Sequence, residues 1–213
     1  MSSYISPLNI VILPDEKVQQ KALELSRKVS EKFETYFTLD NKKYFPHITV
    51  YQTHYPHKNV LALKEKLFKF AKNIKPFKVS ASEITSIFNS WISWNLFKTK
   101  ELTDLELQVL ELANPLREGL ISEGLKEIAQ SEQDSEEIEN YGALLLKDRY
   151  TPHITITRIK DSDKVKEAVE LIHEMNEYEF LVDKLYLGNL GEHGTVNKIL
   201  DEFPFGKYSS VNS

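Results

Sequence analysis

Two heptapeptides hold the side chains best suited to chemistry. Tyr44-Phe45-Pro46-His47-Ile48-Thr49-Val50 and Tyr150-Thr151-Pro152-His153-Ile154-Thr155-Ile156 agree at five of seven positions, and the last position pairs two β-branched aliphatics. Both end in apolar/polar alternation, the pattern of a half-buried strand. Residues two apart on a strand share a face. His47 and Thr49 therefore point one way and Ile48 and Val50 the other, with His153 and Thr155 set against Ile154 and Ile156 in the second copy. Side by side, the strands would bring two imidazoles and two hydroxyls into one cleft. Imidazole titrates near neutrality, so such a pair can supply one proton acceptor and one proton donor together.

The elements that must position these groups follow from the rest of the chain. The protein has 213 residues, enough for a sizeable core in one domain or two joined lobes. Hydrophobic residues make up 41% and charged residues 28%, as in a soluble globular protein. A net charge of −5 argues against a protein that grips nucleic acid mainly by neutralising phosphates, but allows a small anionic substrate in a locally positive cleft. With no cysteine, thiolate catalysis, disulfides and Cys-based zinc sites are excluded. The N-terminus has no basic signal-peptide region and no run reaches membrane-spanning length, so the expectation is a cytoplasmic protein that needs no membrane.

In chain order the pattern predicts a strand over 8–13, a helix capped by Asp15 and running to about 36, the first histidine strand over 46–53, a helix over 58–72 and a strand over 77–88. Asn89-Ser90 reads as a turn. A second series follows: an aromatic strand over 91–98, a long helical stretch opening at Thr103-Asp104 and interrupted by Pro115, the second histidine strand over 151–159, a helix from Asp161, and a strand over 180–190. Residues 195–203 add a hairpin partner. The acidic segment 131–140 lacks periodicity and reads as a mobile loop or solvated helix end. The repeat of five elements implies two similar lobes related by a pseudo-twofold axis, one over about 1–89 and the other over about 90–205, in a single domain with a disordered tail over 206–213.

Two H-x-T motifs on strands, each after a proline, in the two halves of a chain of this size, resemble the 2H phosphoesterases. The stretch His153-Ile154-Thr155-Ile156-Thr157-Arg158 is similar to the branch containing bacterial 2′,5′ RNA ligases and 2′,3′-cyclic phosphodiesterases, in which an arginine often stands five residues after the second histidine. The resemblance implies an α+β fold of two pseudo-symmetric lobes, each an antiparallel sheet with flanking helices, around a central cleft carrying the two motifs. It implies metal-free opening or closing of 2′,3′-cyclic phosphates or 2′–5′ phosphodiesters of nucleotides or short RNA, with no cofactor expected. Because both copies of the motif lie in one chain, no partner subunit is needed to build the site, and a monomer with no obligate protein partner is expected.

On that chemistry His47 and His153 exchange acid and base roles, and the order is open. Thr49 and Thr155 can donate to non-bridging phosphate oxygens. Arg158 is either a phosphate contact or a surface ion pair; simple alternation puts it on the face opposite His153, so a bulge or strand end is required. Tyr44 and Tyr150 are expected at the cleft mouth, and Tyr51 on the face of His47, where it could stack on a base. Of Trp91 and Trp94, one should face the core and the other the ligand side. Two other classes compete with an enzyme of this type: a module that binds a nucleotide or RNA end without turnover, and a metal hydrolase built on His47, His54 and His57. His193, in a turn, reads as a surface residue.

Overall fold

The protein's structure is a computed structural model that describes residues 4–173 and 178–206. Among them are eight strands and six α-helices: β1 (Ile5–Ile12), α1 (Glu16–Ser30), β2 (Ile48–Pro56), α2 (Val60–Ala71), β3 (Phe77–Ile87), β4 (Trp91–Leu96), α3 (Lys100–Ala113), α4 (Glu123–Ile128), α5 (Glu132–Tyr141), β5 (His153–Arg158), α6 (Val165–Ile172), β6 (Tyr178–Val182), β7 (Lys184–Leu190) and β8 (Val196–Pro204). The fold is α+β, as expected. All strands form one antiparallel sheet in the order β6-β3-β4-β5-β2-β1-β7-β8.

Helix α1 shows why these segments fold locally as they do. The Asp15 carboxylate accepts from the Val18 N–H at 2.9 Å, Glu16 lies in the first turn and Arg27 and Lys28 in the last, all in accord with the helix dipole. Val18, Ala22, Leu25 and Val29 fall on one stripe and are buried. Helix α3 begins earlier than the Thr103-Asp104 signal suggests. Thr99 is the cap, its hydroxyl accepting from the Leu102 N–H. After Pro115 the helix does not resume at once, because Glu118 and Gly119 both take left-handed conformations and turn the chain.

The sheet has two mirrored halves, β2-β1-β7-β8 and β5-β4-β3-β6, that meet at the histidine strands. They are not the consecutive lobes expected from the repeat. Strand β3 lies in the second half and strands β7 and β8 in the first. The helices interleave too: α1 packs on β5 and α6, while α3 packs on β2 and α2 on β7 and β8. A boundary near residue 89 fails because that turn is a tight hairpin. Phe88 and Asn89 have φ of +49° and +50°, and the turn brings Ile87 opposite Trp91. A turn this short forces its two strands to be neighbours.

The acidic segment is helix α5, capped by the Ser131 hydroxyl. It is clasped to the body by buried Arg117, which donates to the Glu139 and Leu120 carbonyls, and by Arg149, which meets the Asp134 carboxylate at 2.6 Å. Arg149 holds the Asp134 carboxyl below its usual range. Gly206, assigned in sequence to a disordered tail, donates its N–H to the Ile74 carbonyl at 2.9 Å, and residues 207–213 lie outside the described residues. No described helix is long and apolar enough to cross a membrane.

Gly142 ends α5 against β2. Its φ is +63°, its carbonyl accepts from the Thr53 hydroxyl, and an added Cβ would lie 2.6 Å from that oxygen. Gly142→Ala should cost about 1–3 kcal/mol through left-handed strain and overpacking, read as a lower urea midpoint at unchanged slope. An unchanged midpoint would show that α5 is not coupled to the core.

Candidate active site

The two histidine strands meet through one antiparallel pair, Ile48 with Ile154. Both isoleucines are fully buried on the helix-packed face. Continuing that register one residue each way sets His47 across from Thr155 and Thr49 across from His153. All four then lie on the opposite face, the two histidines on a diagonal, for which residues lie about 7–8 Å apart in a regular sheet and their Cβ atoms somewhat closer. A small pocket lined by Phe37, Leu39, Phe45, His47, Thr155, His193, Gly194 and Thr195 opens there, so residues of both motifs share its wall.

The two imidazoles are anchored alike. His47 Nδ1–H donates to the Phe45 carbonyl and His153 Nδ1–H to the Thr151 carbonyl, each at 2.7 Å. A carbonyl only accepts, so the ring proton of each neutral histidine is on Nδ1, and Nε2 is left as the basic nitrogen. Burial lowers the pKa of His47 to about 4, offset in part by the Phe45 carbonyl; a charge on His153 lowers it further, and the Gly194 backbone, which has no counterpart at His153, opposes that. Burial also lowers His153, opposed by the Thr151 carbonyl.

A β-bulge shapes each strand next. Val11 pairs with Thr49 and Ile10 with Tyr51, so Val50 is the extra residue and the inside/outside phase flips after it. Tyr51 therefore does not share the face of His47. It is 1% exposed in the core, and its hydroxyl donates to the Tyr141 carbonyl at 2.5 Å. Burial raises its pKa. Gln52 takes the site face instead. In the second copy Ser93 pairs with Thr155 and Ile92 with Thr157, so Ile156 is the extra residue. Thr157 turns inward, donating to the Phe37 carbonyl at 2.6 Å, and Arg158 comes onto the face of His153. Gln52 and Arg158 stand at matching places, each five residues after its histidine.

Other expected residues divide. Arg158 stacks on the Trp91 ring at 3.8 Å and beneath Tyr36 at 4.8 Å, and donates to Ser90 Oγ and His193 Nδ1; among the described residues it is not in a surface ion pair. Trp91 thus lies on the face of Arg158, whereas Trp94 is 3% exposed in the core. Tyr150 is not at the cleft mouth. It is buried and its hydroxyl donates to the Thr49 carbonyl at 2.9 Å, tying one motif to the other. Burial and the nearby Glu106 carboxylate raise its pKa. Tyr44 is half-buried against Phe37, with ring centres 5.5 Å apart, so it props the wall of the pocket instead of projecting from it. His57 lies beyond Pro56, against Ser6 Oγ and the Tyr4 ring. Among the described residues no cluster of three or more His, Cys, Asp or Glu could hold a metal ion.

Asn9 and His193 were missed as site residues. Asn9 is fully buried, and its amide donates to Thr49 Oγ1 at 3.1 Å and Gln52 Oε1 at 3.3 Å. Thr49 accepts this bond, which leaves its own O–H to donate outward. The signal in sequence was a polar residue inside the aliphatic run Leu8-Asn9-Ile10-Val11-Ile12, where a buried amide needs a partner.

The sequence model of the 2′-5′ RNA ligase superfamily matches residues 14–194. The chain belongs to that superfamily. Membership, together with the fold, supports an RNA-ligase-like phosphoesterase function. No curated protein matches the chain. Among solved structures, TT0787 of Thermus thermophilus is 15% identical over 95% of this chain and 99% of its own, with a TM-score of 0.61. Escherichia coli LigT complexed with phosphate is 14% identical over 96% and 99%, with a TM-score of 0.60. LigT complexed with 3′-AMP is 13% identical over 95% and 99%, with a TM-score of 0.56. At these identities the likeness is one of fold.

Because folded His47 binds its proton less readily than an unfolded histidine, its contribution to stability is complete above pH 6.5 and lost as pH falls toward 4. A displacement to about 4 corresponds to about 3 kcal/mol. His47→Gln should remove that component, so wild-type and variant unfolding free energies should converge, or cross, between pH 7 and 4. Parallel curves would show that the imidazole is not held neutral.

Proposed function

We propose that the protein is a metal-independent phosphoesterase that hydrolyses, or reversibly ligates, 2′,3′-cyclic phosphates or 2′–5′ phosphodiesters of nucleotides or short RNA, with His47 and His153 as paired general base and acid. The observation that carries this reading is the matched anchoring of both rings through Nδ1, on two strands whose register sets both histidines on one face of the sheet. A module that only binds phosphate has no need of two such rings held in the same tautomer, which weighs against the non-catalytic alternative.

In hydrolysis of a cyclic phosphate, one Nε2 removes a proton from water as its oxygen bonds to phosphorus. The other imidazolium, on the far side, gives its proton to the ribose oxygen as the P–O bond breaks. Each such transfer contributes about 10²–10⁴-fold in rate. His47 is less exposed at the surface than His153, and a charge on His153 lowers His47 further, so the single shared proton belongs on His153. His47 is then the base in hydrolysis and His153 the acid, with roles reversed in ligation. Thr49 and Thr155 donate to the non-bridging oxygens as charge grows there, and Arg158 adds a planar cationic contact.

The decisive assay is hydrolysis of the four nucleoside 2′,3′-cyclic phosphates and a 2′–5′ dinucleotide with EDTA present. Turnover should resist EDTA, and His47→Ala and His153→Ala should each reduce kcat/KM by about 10²–10⁴-fold with the fold intact. Activity retained in either variant would remove that residue from the mechanism, and inhibition by EDTA would favour a metal hydrolase.

Since burial lowers both histidines, the one-proton state of the free protein exists on the acid side of pH 6.5. The kcat/KM profile should therefore be bell-shaped with its maximum below pH 6.5. The kcat profile should be displaced to higher pH, because a bound phosphate anion stabilises the imidazolium. Coincident profiles, or a flat response from pH 5 to 9, would contradict the paired-imidazole mechanism.

A further inference from the structure

His193 belongs to neither motif. It sits in the turn between β7 and β8, on the first half of the sheet, yet its bonds are to the second half. Trp91 Nε1–H donates to the His193 carbonyl at 3.1 Å, and Arg158 Nη1–H donates to His193 Nδ1 at 2.9 Å. The backbone is held at φ +60° and ψ 21°, a left-handed conformation uncommon for a non-glycine residue, and Gly194 follows at φ +76°. The ring lies 4.5 Å from that of Tyr36 and lines the same pocket as His47 and Thr155.

A guanidinium has only donors. Its bond to Nδ1 therefore requires that nitrogen to be unprotonated, and the neutral ring carries its proton on Nε2. This is the opposite tautomer from that of His47 and His153. Arg158 itself uses Nε on Ser90 and Nη1 on His193, with its guanidinium carbon 3.8 Å from the Trp91 ring centre and 4.8 Å from that of Tyr36. Among the described residues no partner takes Nη2, which remains for a ligand. Once protonated, His193 would present a donor to a donor and a cation to a cation.

We propose that His193 is a positioning residue: in its neutral form it holds the Arg158 guanidinium in place for a substrate phosphate, and its protonation releases that grip, a pH response separate from the titration of the two motif histidines. This rests on the reading of Arg158 as a phosphate contact. The charged and titratable groups facing His193 are Arg158 from β5, Tyr36 from the connection after α1, His47 immediately before β2 and Glu192 on its own turn. Burial and Arg158 lower its pKa and Glu192 opposes them, so the ring is neutral at pH 7.5 and the response falls below pH 6.5.

Two variants separate an acceptor role from a structural one. His193→Ala removes the acceptor. His193→Asn places Oδ1 where Nδ1 stands, accepts the same bond, cannot titrate and tolerates positive φ. The probe is sulfate, a tetrahedral dianion whose charge is constant over the range, titrated calorimetrically into the full chain, with far-UV circular dichroism confirming the fold of each variant. At pH 7.5 the alanine variant should bind sulfate about tenfold more weakly than wild type, and the asparagine variant within about threefold of it. At pH 5 the loss of sulfate affinity caused by Arg158→Gln should shrink in wild type but stay full in the His193→Asn background, a comparison within each background that cancels the direct attraction of a His193 cation for the anion. On a substrate that turns over, His193→Ala should raise KM with kcat nearly unchanged.

Equal binding by wild type and His193→Ala, asparagine as weak as alanine, or no sulfate binding by wild type would each overturn the proposal. Sulfate binding that depends on His193 in a protein with no turnover would support it and refute the catalytic reading instead. Full turnover with an unaffected KM in His193→Ala would refute it alone.

Discussion

The antiparallel pairing of Ile48 with Ile154 is the constraint on which the site depends. Both side chains are sealed in the core, which fixes which faces the neighbouring residues take. A slip of one residue would turn an isoleucine to the pocket and a histidine to the helices, at a cost in buried apolar area and an unpaired imidazole. The register therefore protects the chemistry: each histidine can face the other motif's threonine only while the two isoleucines stay buried. The Tyr150 hydroxyl, bonded to the Thr49 carbonyl, ties the two strands a second time.

The bulges are the second device. Each inserts its extra residue directly after the threonine of an H-x-T motif, and each reverses the phase of its strand. In the first copy the reversal buries Tyr51 and presents Gln52; in the second it buries Thr157 and presents Arg158. The same backbone irregularity, used twice, thus supplies a neutral amide on one side and a cation on the other. That asymmetry gives a pseudo-symmetric pocket a preferred end for negative charge, although the chain as a whole is acidic.

The electrostatics follow from burial and partners together. Both motif histidines sit where desolvation opposes a charge, while a carbonyl at Nδ1 favours it, so each is a base whose proton is easily displaced. Arg158 is kept beside them by flat partners, Trp91 and Tyr36, that restrain the guanidinium without neutralising it. Glu106 is buried behind this region on α3, where burial lifts its carboxyl to about 7. The interleaving of helices and half-sheets makes the arrangement rigid, since α1 is joined in sequence to β1 and β2 yet packs against β5 and α6.

The repeated heptapeptide, most of the order of elements and the α+β class were legible because they rest on local rules: strand alternation, caps, prolines and aliphatic stripes. The single strand expected over 180–190 is instead β6 and β7, which part at Asp183 and pair toward opposite ends of the sheet. His47, Thr49, His153 and Thr155 could be placed on one face for the same reason, since only two-residue steps separate each pair. Beyond the threonines that rule failed. A bulge depends on how many residues the partner strand offers opposite, so the sides taken by Tyr51 and Arg158 were decided by β1 and β4. The composition of the halves was likewise a tertiary matter, because a tight turn at Phe88-Asn89 keeps β3 beside β4 whatever the repeat suggests. His193 is the clearest case. Its sequence neighbourhood is an ordinary Gly-Glu-His-Gly turn, and only the folding of β7 and β8 brings its ring to Arg158, 35 residues away in the chain. The chain thus determined by itself which side chains could do chemistry, and the long-range pairing of strands decided which of them meet.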